Sequence, residues 1–366
     1  MVLPPLTAGW RNIRRLLVMR LDNIGDVILL GPALQAIREN LPDAHVTLMA
    51  STAGSQAAML LPGSVDDVLP WRVLWQDLGR LPFDPDAEWR LIDRLRAGLF
   101  DAALIFTSFH QTPFPAGLAC ALAEIPLRVG ESKERGTGEL TFAVPAAPDN
   151  LHQAERNLRL LEYLGFRIRQ RQLSIRLPFS ARKSANDLLT VKGVPPDRPY
   201  ILLAPWASCQ ARTYFPDRFG TAARQLAHRL GWAVVVVGRE SDRPHCQEVL
   251  APLGKCGVDL IGKTTVPEMA ALVTRASLAL ANNTSILHIA DAAQTPMVIT
   301  YSGTELHSQW APRQSPARIL NKATFCSPCY AFQCPYGREC LDITPDEIVQ
   351  AALACLEEAK MARVMV

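Results

Sequence analysis

Short, almost continuously apolar runs alternate with helix-like segments along this chain. In the first half, "RLLVMRL" (15–21), "HVTLMA" (45–50) and "DAALIF" (101–106) read as strands, and residues 26–40 and "LACALAEI" (118–125) as helices. In the second half, "RPYILLAPW" (198–206) opens a new series, followed by "AVVVVG" (233–238), "DLIG" (259–262), "LALANN" (278–283) and "MVITYSG" (297–303). Strands buried on both faces lose the polar alternation of a half-exposed strand, and strands alternating with helices make a parallel sheet covered on both sides.

Between the two series lies "RIRQRQLSIRLPFSARK" (167–183), which is basic and has no apolar period. It reads as the passage between two units. A chain of 366 residues also exceeds what one core usually serves. The expected organisation is α/β, with two Rossmann-like domains over residues 1–178 and 179–345 and a closing helix in 346–366. That helix is written in "PDEIVQAALACLEEAKM" (345–361). Pro345 suits its first turn, and Ile348, Ala352 and Leu356 share one face. Residues 70–98 interrupt the first series and hold three tryptophans, Trp71, Trp75 and Trp89. They are expected to form a packed surface insertion, or one that faces an acceptor or lipid.

Composition narrows the class. Hydrophobic content of 49%, charged content of 20% and a net charge of +3 suit a water-soluble globular protein and permit anionic ligands without requiring them. The start, "MVLPPLTAGWRNIRR", has no signal-like apolar core, and no apolar run approaches the roughly 20 residues of a spanning helix. A cytoplasmic protein is the expectation. Nothing is basic and aromatic enough for a nucleic-acid module. Of 9 cysteines, Cys120, Cys209, Cys246, Cys256 and Cys355 are scattered and read as small buried hydrophobes. Cys326, Cys329, Cys334 and Cys340 follow C-x2-C-x4-C-x5-C. A structural zinc or iron, a redox pairing and four reduced thiols are all open readings.

Candidate chemistry sits where strands end. "RLDNIGDVILLGPALQAIREN" (20–40) runs from a strand through a charged turn into a helix. It lacks both G-x-G-x-x-G and a Walker lysine, so the first half is a poor nucleotide binder. Asp26 in the first helical turn is either a carboxylate that complements the helix dipole or a general base facing the crevice. Asn23 and Gly25 would form an acceptor-side turn, and Asp22 reads as structural. In "LALANNTSILHIADAAQTPMVITYSG" (278–303), Asn282, Asn283, Thr284 and Ser285 crowd a helix start that suits a diphosphate, with His288 one turn further in. The loop after "YILLA" offers Trp206, Ser208 and the cation Arg212. Glu240 and Asp242, beyond "AVVVVG", are candidate acceptors for ribose hydroxyls. "DPD" (84–86) reads as a turn rather than a metal motif.

Taken together, these stretches resemble glycosyltransferase family 9, the heptosyltransferase family of lipopolysaccharide core assembly. The opening motif is similar to the family's strand, "GD" and apolar helix, which places Asp26 on the catalytic aspartate. "NNTSILHIADAAQTP" resembles the family's second motif, with Thr284 and His288 matching. Asn283 and Ser285 stand where the family has Asp and Gly. "LIGKTTVPEMAALVTRAS" is also similar, and puts Thr264 at the nucleobase. The family's phosphate-binding lysine has no clean match, and Arg212 is the best substitute.

The resemblance implies a GT-B architecture, with two domains facing a cleft and the last helix crossing back to the first. It implies acceptor binding by the N-terminal half and nucleotide-sugar binding by the C-terminal half. The implied reaction is inverting and metal-independent transfer from a donor such as ADP-heptose to a saccharide or glycolipid, with peripheral contact at the inner membrane face. A sugar-nucleotide epimerase or hydrolase, and a non-catalytic sugar-nucleotide-binding protein, are the alternatives.

Overall fold

The computed structural model describes residues 8–364 except 62, 78, 135 and 137. Its contacts divide into two units, Met1–Arg176 and Leu177–Val366, two residues from the expected boundary. In the first unit six strands, β1 (Arg15–Arg20), β2 (His45–Ala50), β3 (Asp67–Pro70), β4 (Ala102–Ile105), β5 (Leu127–Ser132) and β6 (Phe142–Pro145), form one sheet in the order β3-β2-β1-β4-β5-β6. In the second, β7 (Tyr200–Ala204), β8 (Ala233–Val236), β9 (Gly257–Asp259), β10 (Leu278–Asn282), β11 (Met297–Thr300) and β12 (Ala317–Leu320) run in the order β12-β11-β10-β7-β8-β9. All pairings are parallel. Counted within each unit, both sheets have the Rossmann order 3-2-1-4-5-6, so each reverses direction between its first and fourth strands.

The central strands are the apolar runs. Leu16, Leu17, Val18 and Met19 of β1, and Leu278, Ala279, Leu280 and Ala281 of β10, are buried. The helix expected over 26–40 begins earlier and is broken once, into Ile24–Leu29 and Gly31–Asn40, with Pro32 near the second start. The strand expected over 259–262 lies earlier, at β9.

Residues 70–98 are not an insertion. The helix Pro85–Ala97 lies between β3 and β4 in the chain and buries Leu91, Ile92 and Leu95 in the same core as Leu17, Met19 and Ile105. Trp71 and Trp75 pack against that core, while Trp89 is exposed. The "DPD" turn is the helix start: the Asp84 side chain accepts from the Asp86 N–H at 3.0 Å, and Pro85 follows the cap.

The closing helix, Pro345–Val364, packs in the second unit on the helix Pro216–Leu230, β11 and β12. Ile348, Val349, Ala352 and Leu356 join the core there with Phe219 and Leu280. Ile348, Ala352 and Leu356 are the face expected from the sequence. No helix among the described residues is long and apolar enough to cross a membrane.

Candidate active site

In a parallel sheet, loops leaving two strands in opposite directions open a crevice at the strands' carboxyl ends. In the first unit that point lies between β1 and β4. Arg20 closes β1 and is fully buried. Its Nε lies 3.1 Å from Asp22 Oδ2, and its Nη2 lies 2.9 Å from Asp26 Oδ1. Nη2 also donates to Ser108 Oγ at 2.8 Å, beyond the end of β4. Asp22 Oδ1 accepts from Gln76 Nε2 at 3.0 Å and Gln111 Nε2 at 2.6 Å. The Gln111 carbonyl in turn accepts from the Ser108 N–H at 2.8 Å. Burial pushes the Asp22 carboxyl above its ordinary value; Arg20 opposes this, the Asp26 charge adds to it, and the two amides oppose it.

Asp26 occupies the third position of its helix, and its Oδ2 accepts from the Asn23 N–H at 3.1 Å. One oxygen therefore closes the helix start and the other meets Arg20. The side chain keeps 16% of its surface exposed, enough to reach a ligand. Asn23 is the exposed cap residue. Gly25, expected in the turn, is the second residue of the helix and is buried.

The corresponding point of the second unit lies between β7 and β10. Asn282, expected as a capping residue, instead ends β10 and ties the loops together. Its Oδ1 accepts from the Tyr214 N–H at 2.8 Å and Thr300 Oγ1 at 3.0 Å, and its Nδ2 donates to the Pro205 carbonyl at 2.8 Å. Asn283 Nδ2 donates to Glu305 Oε2 at 3.0 Å, while Arg212 pairs with Glu305 Oε1. Glu305 thus joins two residues expected at the donor. Thr284 caps the helix Ser285–Ala293, and its hydroxyl is buried with no hydrogen-bond partner. His288 is buried one turn inside, its ring 6.2 Å from that of Trp310.

The remaining expected donor residues spread along the same sheet edge. Trp206 lies over Gly238, where an added Cβ would come within 2.7 Å of the ring; its indole nitrogen is buried and unpartnered. Ser208 is exposed in the same loop. Asp242 is occupied locally, accepting from the Arg239 N–H at 2.8 Å and Arg239 Nη2 at 3.1 Å. Glu240 is exposed and pressed against Gly262, a left-handed position with φ of +70°. Thr264 lies just before the helix Val266–Arg275, which Thr265 caps.

The cysteine segment follows β12. The Cys329 N–H donates to the Gly303 carbonyl at 2.9 Å, the Tyr330 N–H to Thr304 at 3.0 Å, and the Cys334 N–H to Gln210 Oε1 at 2.9 Å. It thereby braces the loops that carry Glu305 and Arg212. Cys326, Cys329, Cys334 and Cys340 are all free thiols. Burial pushes the Cys340 thiol up, and the three neighbouring cysteines add to this. Among the described residues, however, no group of three or more His, Cys, Asp or Glu side chains is arranged to hold a metal ion.

Sequence reasoning did not single out Arg20, Gln76, Ser108, Gln111 or Glu305. A signal existed for Arg20, a charge closing an otherwise apolar strand. Gln76 ends a short 3-10 helix and the other three lie in loops, none within a motif, and only folding brings them to the switch points.

Two Rossmann-ordered units in tandem, one with an acid at its switch point and the other with a polar helix start, are the arrangement of enzymes with the GT-B fold. The sequence profile of glycosyltransferase family 9 (heptosyltransferase) matches residues 88–339, and the chain belongs to that family. Asp26 lies ahead of the matched span. Lipopolysaccharide heptosyltransferase 3 of Escherichia coli K12 is 24% identical over 291 residues, covering 79% of this chain and 82% of that protein. Among solved structures, the glycosyl transferase family 9 protein of Veillonella parvula superposes with a TM-score of 0.77 at 19% identity, over 97% of this chain and 99% of that one. The E. coli ADP-heptose lipopolysaccharide heptosyltransferase II gives 0.73 at 20% identity, over 94% and 99%. The protein is a glycosyltransferase.

Proposed function

We propose that this glycosyltransferase moves a heptose, with inversion, from ADP-heptose to a saccharide acceptor of lipopolysaccharide or a related surface glycan. The donor is inferred from the names of the relatives, which include an ADP-heptose enzyme and a lipopolysaccharide heptosyltransferase. The acceptor's membrane origin makes peripheral work at the cytoplasmic membrane face the expected setting.

The observation that carries the reading is the placement of Asp26. Its carboxylate is held by Arg20 and the Asn23 N–H, yet remains partly exposed at the first unit's switch point. In the proposed reaction it accepts the proton of the attacking acceptor hydroxyl. The oxygen forms the new bond at the anomeric carbon while the bond to the nucleoside diphosphate breaks. The second unit meets the leaving charge. Arg212, oriented by Glu305, supplies a cation and the helix start at Thr284–Ser285 a dipole, so the scheme invokes no metal. Trp206, Ser208, Glu240 and Thr264 flank the nucleoside in this scheme. His288 supports the helix start from within, and Asp242 shapes its loop. Asn283, in place of the family's Asp, donates to Glu305, so a carboxylate is still present beside the helix start.

Asp26→Asn tests the proposal. An asparagine keeps one acceptor oxygen, for Arg20 or for the Asn23 N–H but not for both, so the melting temperature should fall and activity is compared below the variant's own melting temperature. Transfer from ADP-heptose to delipidated core oligosaccharide should fall by about 10²–10⁴-fold, the usual worth of a positioned base. Near-normal turnover by a folded Asp26→Asn protein removes Asp26 from that role. Equal consumption of donor with and without acceptor favours hydrolysis over transfer.

A further inference from the structure

Residues 321–338 run without regular structure from the end of β12 towards the closing helix. None of them is buried, so no core holds them in place. A stretch this long with no element of its own is uncommon in a compact unit and usually serves a function.

Two loops hold this stretch instead. Around Arg212, the Cys334 N–H donates to Gln210 Oε1 at 2.9 Å and the Ala211 N–H donates to the Phe332 carbonyl at 3.1 Å. On the other side of Arg212, Arg338 Nη1 donates to the Thr213 carbonyl at 2.6 Å. Ahead of Glu305, the Cys329 N–H donates to the Gly303 carbonyl at 2.9 Å and the Tyr330 N–H to the Thr304 carbonyl at 3.0 Å. These bonds bracket Arg212 and reach the two residues before Glu305, its partner. A carboxylate can orient a guanidinium only while the two backbones keep their spacing, and one segment gripping both loops sets that spacing.

Arg338 stands out within the segment. Its backbone is left-handed, with φ of +61°, a region that favours glycine. Residues are kept in such conformations where their surroundings demand it, and functional sites are where they gather. What the arginine offers over a glycine is its side chain. That side chain bonds Thr213, and its guanidinium carbon lies 4.3 Å from the centre of the Phe215 ring.

We propose that residues 326–338 are a clasp that sets Arg212 against Glu305, and that Arg338 is its positioning residue, acting on the diphosphate through Arg212. The inference rests on the transferase reading above, in which Arg212 meets the leaving diphosphate, and adds the element that holds it there.

ADP binding by calorimetry is the test, in the wild type, Arg212→Met, Arg338→Gly and the double variant. Glycine suits the left-handed backbone, which offsets the lost side-chain contacts, so Arg338→Gly should melt close to the wild type. Its ADP affinity should nevertheless fall by about two- to tenfold, the worth of one hydrogen bond. The ADP-heptose KM should rise in step, and the acceptor KM should stay unchanged. In the Arg212→Met background, Arg338→Gly should cost nothing further, because the residue through which it acts is gone. Gln210→Ala, which releases the Cys334 N–H from an exposed position, is a second route and should show the same dependence on Arg212. Wild-type ADP affinity in folded Arg338→Gly and Gln210→Ala proteins overturns the proposal. A loss of equal size with and without Arg212 also overturns it, in favour of general loosening of the unit. Wild-type ADP affinity in Arg212→Met is a separate result: it removes Arg212 from the leaving-group role and takes the clasp's purpose with it.

Discussion

Arg20 Nη2 lies 2.9 Å from Asp26 Oδ1 while Nε of the same guanidinium lies 3.1 Å from Asp22 Oδ2, so one fully buried arginine serves two carboxylates. Removing it strands Asp22 in a poorly solvated place. Arg20→Met should therefore lower unfolding free energy at neutral pH by about 3 kcal/mol, the usual scale for breaking a buried pair from one side. The loss should shrink in acid as Asp22 takes up a proton. Urea unfolding at neutral and at acid pH measures both values.

Asp22 itself gives a pH dependence with a definite sign. Its folded pKa is raised above the ordinary 3.8, chiefly by burial. The folded state then holds the proton more tightly than the unfolded chain does. The resulting stability is complete below the unfolded pKa and is lost as pH rises through the folded one. The stability difference between wild type and Asp22→Asn should accordingly move against the wild type as pH rises above about 3.8. Melting temperatures of the two proteins across an acid-to-neutral series give the comparison.

The central strands of both sheets were legible because burial on two faces demands unbroken apolar runs. The strands that sequence reading passed over lie nearer the margins. β3, β6 and β12 are edge strands with exposed or half-exposed positions, and their sequences carry correspondingly little apolar signal. Asp26 and the Asn283–Ser285 helix start could be found because acids and small polar residues mark helix beginnings. Their partners could not. Ser108 is 88 positions from Arg20, and Glu305 is 93 from Arg212. Those distances close only when parallel strands pair. The tryptophans of residues 70–98 misled for a related reason: a tryptophan-rich stretch looked like a surface feature, whereas Trp71 and Trp75 pack against the core.

Asn282 is a scaffold rather than a ligand. All its side-chain contacts are internal, to Tyr214, Thr300 and Pro205. Asn282→Ala would leave a buried N–H and a buried carbonyl unpaired at about 1–3 kcal/mol each. A loss of about 3 kcal/mol in chemical denaturation, together with weaker ADP binding by calorimetry, is expected. Unchanged stability would show that the loops hold without it.

The closing helix carries an acid-sensitive start. The Thr344 N–H donates to Glu347 at 2.7 Å, and the Glu347 N–H donates back to Thr344 Oγ1 at 3.3 Å. The Lys322 hydrogen bond, followed by the Thr344 N–H, lowers the Glu347 pKa to about 2. A depressed carboxylate adds stability above its unfolded pKa and loses it as pH falls through the folded one. The melting-temperature advantage of wild type over Glu347→Gln should be steady at neutral pH and fade between about 4.5 and about 2. Because both groups are substantially exposed, added salt should reduce it as well.

The shared strand order has a consequence for how such enzymes diversify. Each unit closes its own sheet and assembles its own cluster from its own residues, Arg20 with Ser108 in one and Asn282 with Pro205 in the other. The join at 176–177 is then a natural seam for recombination. A gene that exchanges one half at that seam carries these partners over as a set, so a change in one cluster need not redraw the other.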